Sequence, residues 1–174
     1  MNSADLMGGS SEPDGYRGFG RVHLQGVLPV DGEGDMGLFV VDALKTSIAD
    51  CTVDEYSFEV ASGTGLDFRA TLSWIDPPAE VESFIQLIND LDLTVVAPDG
   101  TSYTMWSDGA DAANVLERVV VPSAVLDANS GVWTVTVSCS DLEIDEQPYS
   151  LVVTGPFVEG SGEMTSHTNS AATC

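Results

Sequence analysis

Ser102, which follows Gly100 and Thr101, is the first residue that could do chemistry, because a serine hydroxyl can act as a nucleophile when a base activates it. A nucleophilic serine needs a base within hydrogen-bonding distance and a third group that orients the base. The chain has two histidines. His23 lies in a glycine-rich stretch with no orienting acid beside it, and His167 lies in a polar tail without periodicity. We therefore predict that Ser102 is a turn residue.

The residues around Ser102 favour the same interpretation. The motif "APDG" separates the apolar run "LDLTVV" from the aromatic "YTMW", and an Asp-Gly pair between two such runs is typical of a hairpin turn. A nucleophile at the start of a helix would be followed by small residues, whereas Tyr103 and Trp106 follow here. A stand-alone serine hydrolase is thus disfavoured.

Metal binding is the second chemistry that the sequence offers. In "NDLDL", strand alternation puts Asp90 and Asp92 on one face, with their carboxylates about 7 Å apart. Calcium takes six to eight oxygen ligands, so loop oxygens would have to complete the shell. The alternative is that both carboxylates face water or cap the amides of a neighbouring loop.

A weaker acidic site is "DGEGDMGLFVVD", in which Asp31, Glu33 and Asp35 occupy the first, third and fifth places of an EF-hand-like loop. Met36 stands where the sharp turn of such a loop needs glycine, and Asp42 replaces the bidentate glutamate at the twelfth place. The pattern therefore favours an ordinary acidic turn.

Composition bounds the class of protein and of partner. With 174 residues and 43% hydrophobic content, the chain can form one well-packed domain. The formal charge of -23 excludes steering toward nucleic acid or an anionic membrane and favours cations, although an acidic surface also keeps a protein soluble in salt. No apolar run approaches the roughly 20 residues that span a bilayer. Cys51 and Cys139 either pair in an oxidising compartment, leaving Cys174 free, or are both buried thiols.

The elements that position these residues are strands. Alternating apolar and polar residues predict strands at 56–60, 66–74, 91–97, 118–121, 131–139 and 149–155. The fold class is therefore all-β, an antiparallel β-sandwich or jelly roll over residues 31–157, with an N-terminal connector (1–30) and a disordered C-terminal tail (158–174). Residues 81–88 fit either a short helix or a loop packed on the sheet. Trp74 and Trp133 fall in strands and are predicted core residues, whereas Trp106 is predicted to be exposed.

Five motifs carry a resemblance to a known family: "WIDPPA", "LINDLDLTVVAPDG", "DAANVLERVVV", "GVWTVTV" and "QPYSLVVTG". In order and spacing they resemble the β-jelly-roll domain that follows the catalytic domain in one group of secreted subtilisin-like serine proteases (subtilases). Upstream, "NSADL" and "GFGRVHL" resemble segments that close the catalytic domain of that group, so the likeness covers about residues 1–157.

The resemblance implies a non-catalytic accessory domain, because the catalytic Asp, His and Ser of the family lie N-terminal to the matched region. It implies a subtilase catalytic domain in cis as partner and extracellular localisation. It also implies a structural calcium ion (Ca2+), for which the matching motifs and the acidic pair offer Asp76, Asp90, Asp92, Asp111, Asn114 and Glu117. The alternative is a carbohydrate- or protein-binding module, which would present exposed aromatic residues such as Trp106.

Overall fold

The structure is a computed structural model that describes residues 1–5, 7, 16–24, 27–28, 36–84, 86–105, 113–143, 146–158 and 160–169. Within these ranges the chain forms ten strands and one short helix, α1 (Ser123–Ala128). The strands are β1 (Gly37–Val41), β2 (Ser47–Ala49), β3 (Thr52–Val60), β4 (Phe68–Trp74), β5 (Asp90–Val96), β6 (Ser102–Tyr103), β7 (Leu116–Val121), β8 (Gly131–Asp141), β9 (Glu146–Gly155) and β10 (Met164–Asn169).

The strands form two antiparallel sheets that pack face to face. The first sheet has the order β1-β9-β4-β7, with β2 also paired to β9, and the second has the order β10-β3-β8-β5-β6. Each strand pairing in both sheets is antiparallel. The predicted all-β sandwich is therefore confirmed. No helix of the described ranges is long and apolar enough to cross a membrane.

The core lies between the sheets because alternate residues of each long strand point inward. Four aromatic side chains from both sheets meet there: the ring of Phe58 packs edge-on against Phe68 at 5.6 Å, and Phe157 and Trp133 extend the contact. Trp133 is fully buried and Trp74 is 5% exposed, so the predicted core placement of both tryptophans is confirmed.

The predicted turn before Ser102 is confirmed. The amide of Ala97 donates to the Thr101 carbonyl at 2.8 Å, which joins β5 to β6 as a hairpin. Gly100 has a φ of 87°, a left-handed conformation that glycine adopts without strain. The Asp99 carboxylate accepts a hydrogen bond from the Thr101 amide at 2.9 Å, which locks the turn.

The prediction of a disordered tail over residues 158–174 is wrong for residues 164–169. These residues form β10, which pairs with β3 and extends the second sheet. The segment is polar and lacks an apolar alternation, so the sequence gives no strand signal. The strand forms because the edge of β3 offers unpaired backbone groups and because His167 contacts Asp54 on β3.

Two smaller features also differ from the sequence pattern. Residues 81–84 and 86–88 form a loop between β4 and β5. Of the short helix and the loop that the sequence allowed here, the helix is therefore wrong. Cys51 is in a disulfide, whereas Cys139 is a buried thiol. The predicted Cys51–Cys139 disulfide is therefore wrong, and so is the alternative that both residues are buried thiols.

Candidate functional site

Two of the predicted metal residues, Asp92 and Glu117, line one depression in the surface, here called the β5–β7 cleft. It lies where β5 of the second sheet approaches β7 of the first, beyond the short segment of β5 that pairs with β6. Its volume is about 210 Å³, and it is lined by Asp92, Leu93, Thr94, Thr104, Glu117 and Ser138.

Glu117 is a buried carboxylate at the base of this cleft. It faces inward from β7 and is 3% exposed. Its Oε2 accepts a hydrogen bond from the backbone amide of Leu93 at 2.5 Å. Among the described strands, none pairs with β5 on this edge at Leu93, so the carboxylate takes the place of a strand partner.

Asp92 is the second carboxylate of the cleft. Its Oδ1 is buried and accepts no hydrogen bond from the residues that the structure describes. Burial raises the pKa of the Asp92 carboxyl above its ordinary value. A buried carboxylate oxygen without a donor is an arrangement that a bound cation would stabilise.

The strand alternation around Asp92 is as predicted. Asp90 and Asp92 are half-buried on one face of β5, whereas Leu91 and Leu93 are buried on the other, together with Asn89 just before the strand. The sequence thus placed Asp90 and Asp92 on one face correctly. That Asp92 of one sheet and Glu117 of the other line the same cleft was not visible in it.

The remaining predicted ligands do not join the cleft lining. Asp76 accepts hydrogen bonds from the backbone amides of Ile88 and Asn89, both at 2.8 Å, so it closes the loop between β4 and β5. Asn114 is exposed, and Asp111 lies outside the described residues. The structure therefore brings together Asp92 and Glu117 of the six candidates, and nowhere in the described ranges do three or more His, Cys, Asp or Glu residues form a metal-binding group.

Two other predicted features lie outside the described residues. These are the acidic turn with Asp31, Glu33 and Asp35, and the exposed tryptophan Trp106.

The serine hypothesis gains no support from the histidines. Ser102 is exposed at the start of β6. The Nδ1 of His23 lies 3.1 Å from the carboxylate of Asp5, and the ring of His167 contacts the carboxylate of Asp54. Each histidine thus engages an acid on a different element from Ser102.

Sequence reasoning missed a buried polar network around Asp54. The Asp54 carboxylate is fully buried and accepts hydrogen bonds from the Tyr149 hydroxyl, at 2.6 Å, and from the ring of His167. The Tyr56 hydroxyl donates in turn to Tyr149 at 2.5 Å. The sequence did carry a signal for the burial of Asp54, because Asp54 alternates in step with Tyr56, Phe58 and Val60 on the inward face of β3.

Both tyrosines of this network stay protonated at neutral pH. Burial raises the pKa of Tyr56 to about 12. Burial together with the hydrogen bond to Asp54 raises the pKa of Tyr149 further. The two hydroxyls are therefore permanent donors, and the network is a structural device that holds a buried carboxylate.

No model of a known protein family matches this chain, and a search of curated proteins finds no match either. The resemblance to subtilases therefore remains a prediction.

Asp92→Asn should stabilise the chain at neutral pH when divalent cations are absent. Because burial raises the pKa of Asp92, the folded state binds more protons than the unfolded state just above the ordinary pKa of aspartate. The free energy of unfolding therefore falls as pH rises through that range, and the loss is complete above the raised pKa. We expect a melting temperature about 2 °C higher for the variant at pH 7 and no difference at the acidic limit, because solvent still screens this half-buried group. Equal melting curves for the variant and wild type at pH 7 would contradict this prediction. Glu59→Gln, which removes one exposed charge from β3, is the control for overall charge.

Tyr149→Phe should destabilise the sandwich by about 1.5–3 kcal/mol, because it leaves the buried Asp54 carboxylate without one of its donors. Chemical denaturation measures the loss. In an Asp54→Asn background the same change should cost less than about 1 kcal/mol, since the charge is gone. An equal cost in both backgrounds would show that the tyrosine acts by packing alone.

Proposed function

We propose that this chain is a non-catalytic accessory β-sandwich of a subtilisin-like serine endopeptidase, which stabilises the catalytic domain by packing against it. The observation that carries the proposal is the position of Ser102, the serine whose sequence setting resembled that of a nucleophile, away from both histidines. Ser102 opens β6 after a hairpin turn, and both histidines engage carboxylates elsewhere in the fold. What remains in the described residues is a sandwich of two sheets with a buried hydrophobic core.

The motifs that resemble the family support the proposal by their positions in the fold. "LDLTVVAPDG" makes up β5 and the turn to β6, "GVWTVTV" lies in β8, and "QPYSLVVTG" lies in β9. These three motifs supply buried core residues from both sheets. Most of "WIDPPA", by contrast, lies in the loop after β4. The disulfide at Cys51 agrees with the proposed extracellular localisation, because disulfides persist in oxidising compartments.

We further propose that the β5–β7 cleft holds the structural calcium ion of this domain. Asp92 and Glu117 would supply the carboxylates, and the hydroxyls of Thr94, Thr104 and Ser138 and water molecules are the nearby oxygen sources. The fit depends on the buried Oδ1 of Asp92, which has no hydrogen-bond donor among the described residues. A bound cation would compensate the desolvated carboxylate and add stability by mass action.

The alternative of a carbohydrate-binding module has less support from the described residues. Glycan platforms need exposed aromatic faces, whereas Trp74 and Trp133 are buried in the core. Only Trp106 among the tryptophans could serve, so Trp106→Ala should reduce binding on a glycan panel if that alternative holds.

Calcium should raise the melting temperature of the purified chain by about 5 °C or more when it is present at about a hundredfold above its dissociation constant. Magnesium at the same ionic strength should do less, because the smaller ion keeps its water ligands. Asp92→Ala should remove the increment, and Asp99→Asn, which removes one exposed charge, should retain it. Equal responses to both ions, or an increment that survives Asp92→Ala, would mean charge screening rather than a site.

The accessory role has its own test. A fluorophosphonate probe should leave the chain unlabelled while it labels active subtilisin, because Ser102 lacks a base.

The stabilising role is tested by adding the chain to the catalytic part of a subtilisin-like protease that has been separated from its own sandwich. The chain should lengthen the half-life of that protease's activity at elevated temperature. Labelling of Ser102, or a half-life that does not change, would count against the accessory role.

A further inference from the structure

The strand β10 is held on the edge of the second sheet although it buries little apolar surface of its own. Its sequence is the polar "MTSHTN", and none of the side chains of residues 164–168 is buried. Met164, its one hydrophobic side chain, is 45% exposed. The hydrophobic effect therefore contributes little to keeping β10 in place, and other contacts must offset the conformational entropy that its six residues lose on ordering.

The approach to β10 is fixed in the core by Gly162. The Gly162 amide donates to the Ser57 carbonyl at 2.7 Å, and the φ of Gly162 is 95°, a conformation that favours glycine. A Cβ at this position would lie 2.6 Å from the ring of Phe58, so the backbone of Gly162 packs directly on the aromatic core. The chain thus enters β10 from a fixed point, and detachment of the strand must begin at its far end.

His167 makes a side-chain contact near that far end. Its ring contacts the carboxylate of Asp54, the residue opposite it on β3. The His167 side chain is 51% exposed, whereas the Asp54 side chain is fully buried. Nearer the start of the strand, the Thr165 hydroxyl donates to the Glu55 carbonyl at 3.2 Å. An edge strand with so few buried contacts belongs to the part of a fold that opens most readily.

The cysteines offer a covalent hold for this far end. The chain has three cysteines. Cys51 is in a disulfide and Cys139 is a buried thiol. Within one chain the partner of Cys51 is therefore Cys174, which lies outside the described residues.

The topology brings the chain after β10 close to Cys51. β10 runs antiparallel to β3, and Asn169 lies opposite Thr52, the first residue of β3. Cys51 directly precedes Thr52, and Cys174 follows Asn169 by five positions. Five residues reach up to about 17 Å when extended, well beyond the roughly 6 Å that separates the Cα atoms of a disulfide. The chain that leaves β10 is thus long enough to reach Cys51.

We propose that a Cys51–Cys174 disulfide makes β10 a strap fastened over the edge of β3, and that reduction of this disulfide releases the strap from its far end. The contact of His167 with Asp54 is the weaker hold that is left after reduction. Release exposes the edge of β3, whose backbone groups can then pair with another chain, and uncovers the Asp54 carboxylate.

Fastening and release are thiol–disulfide exchange reactions. Fastening oxidises the two cysteine thiols, whose two electrons and two protons pass to a disulfide-bearing oxidant, which becomes two thiols. A dithiol reductant reverses the exchange and itself forms a disulfide.

The test compares the full chain in its oxidised form with the same chain treated with dithiothreitol. A non-reducing peptide map of the oxidised chain should show the peptide of Cys51 linked to the C-terminal peptide of Cys174. Linkage of Cys51 to Cys139, or to a second chain, would overturn the proposal.

Hydrogen exchange measured by mass spectrometry then reports on the strap. Reduction should speed amide exchange over residues 164–169 by about tenfold, while peptides from β5, on the far side of the same sheet, keep their rates. Unchanged exchange over residues 164–169 would show that the disulfide does not hold β10. An equal rise across β5 would show that it holds the whole domain, and either result would overturn the proposal.

Variants separate the covalent hold from the weaker one. The double variant Cys51→Ser, Cys174→Ser should show, without reductant, the exchange of reduced wild type, and dithiothreitol should change nothing further. A further rise would mean that reduction acts elsewhere, and the proposal would fail. In the reduced chain, His167→Ala should speed exchange over residues 164–169 by about threefold more, whereas the matched control Thr168→Ala, at the next exposed position of β10, should not. Equal effects of these two changes would contradict the role given to His167.

Discussion

Burial of an aromatic layer between two sheets is the constraint on which the rest of this structure depends. Phe58, Phe68, Phe157 and Trp133 fill the space between the sheets, so inward positions of the strands must be apolar or find a polar partner. Among the described residues, the acids buried on the inward face of strands are Asp54 and Glu117. Each takes donors there: Asp54 from Tyr149 and His167, and Glu117 from the Leu93 amide.

The same constraint creates the candidate calcium site. Because β5 has a strand partner on one side only at Leu93, Glu117 is drawn to that edge and leaves a cleft of about 210 Å³ beside Asp92. The Asp92 carboxylate is then partly desolvated without a protein donor for its buried oxygen, at a cost that a cation would offset. The hydrogen bond from the Leu93 amide to Glu117 and the binding of a cation beside Asp92 would thus both follow from one arrangement of strands.

The core is complete without the N-terminal part of the chain. The buried hydrophobic cluster draws its members from residue 41 onward, so the described residues within 1–28 add no side chain to it. These residues meet the first sheet through polar groups instead, namely the Asn2 side chain and the Arg118 guanidinium.

The sequence by itself determined most of β3, β4, β5, β7, β8 and β9, the hairpin turn before Ser102, the burial of Trp74 and Trp133, and the shared face of Asp90 and Asp92. A period of two and turn chemistry are local properties of the chain. Only the tertiary structure decided β10, the loop-closing role of Asp76, the contact of Glu117 with β5, and the network of Asp54. These contacts join residues far apart in sequence, 95 positions for Tyr149 with Asp54 and 113 for His167 with Asp54. Such contacts depend on which strands become neighbours, and that is settled by the stacking of the two sheets around their common core.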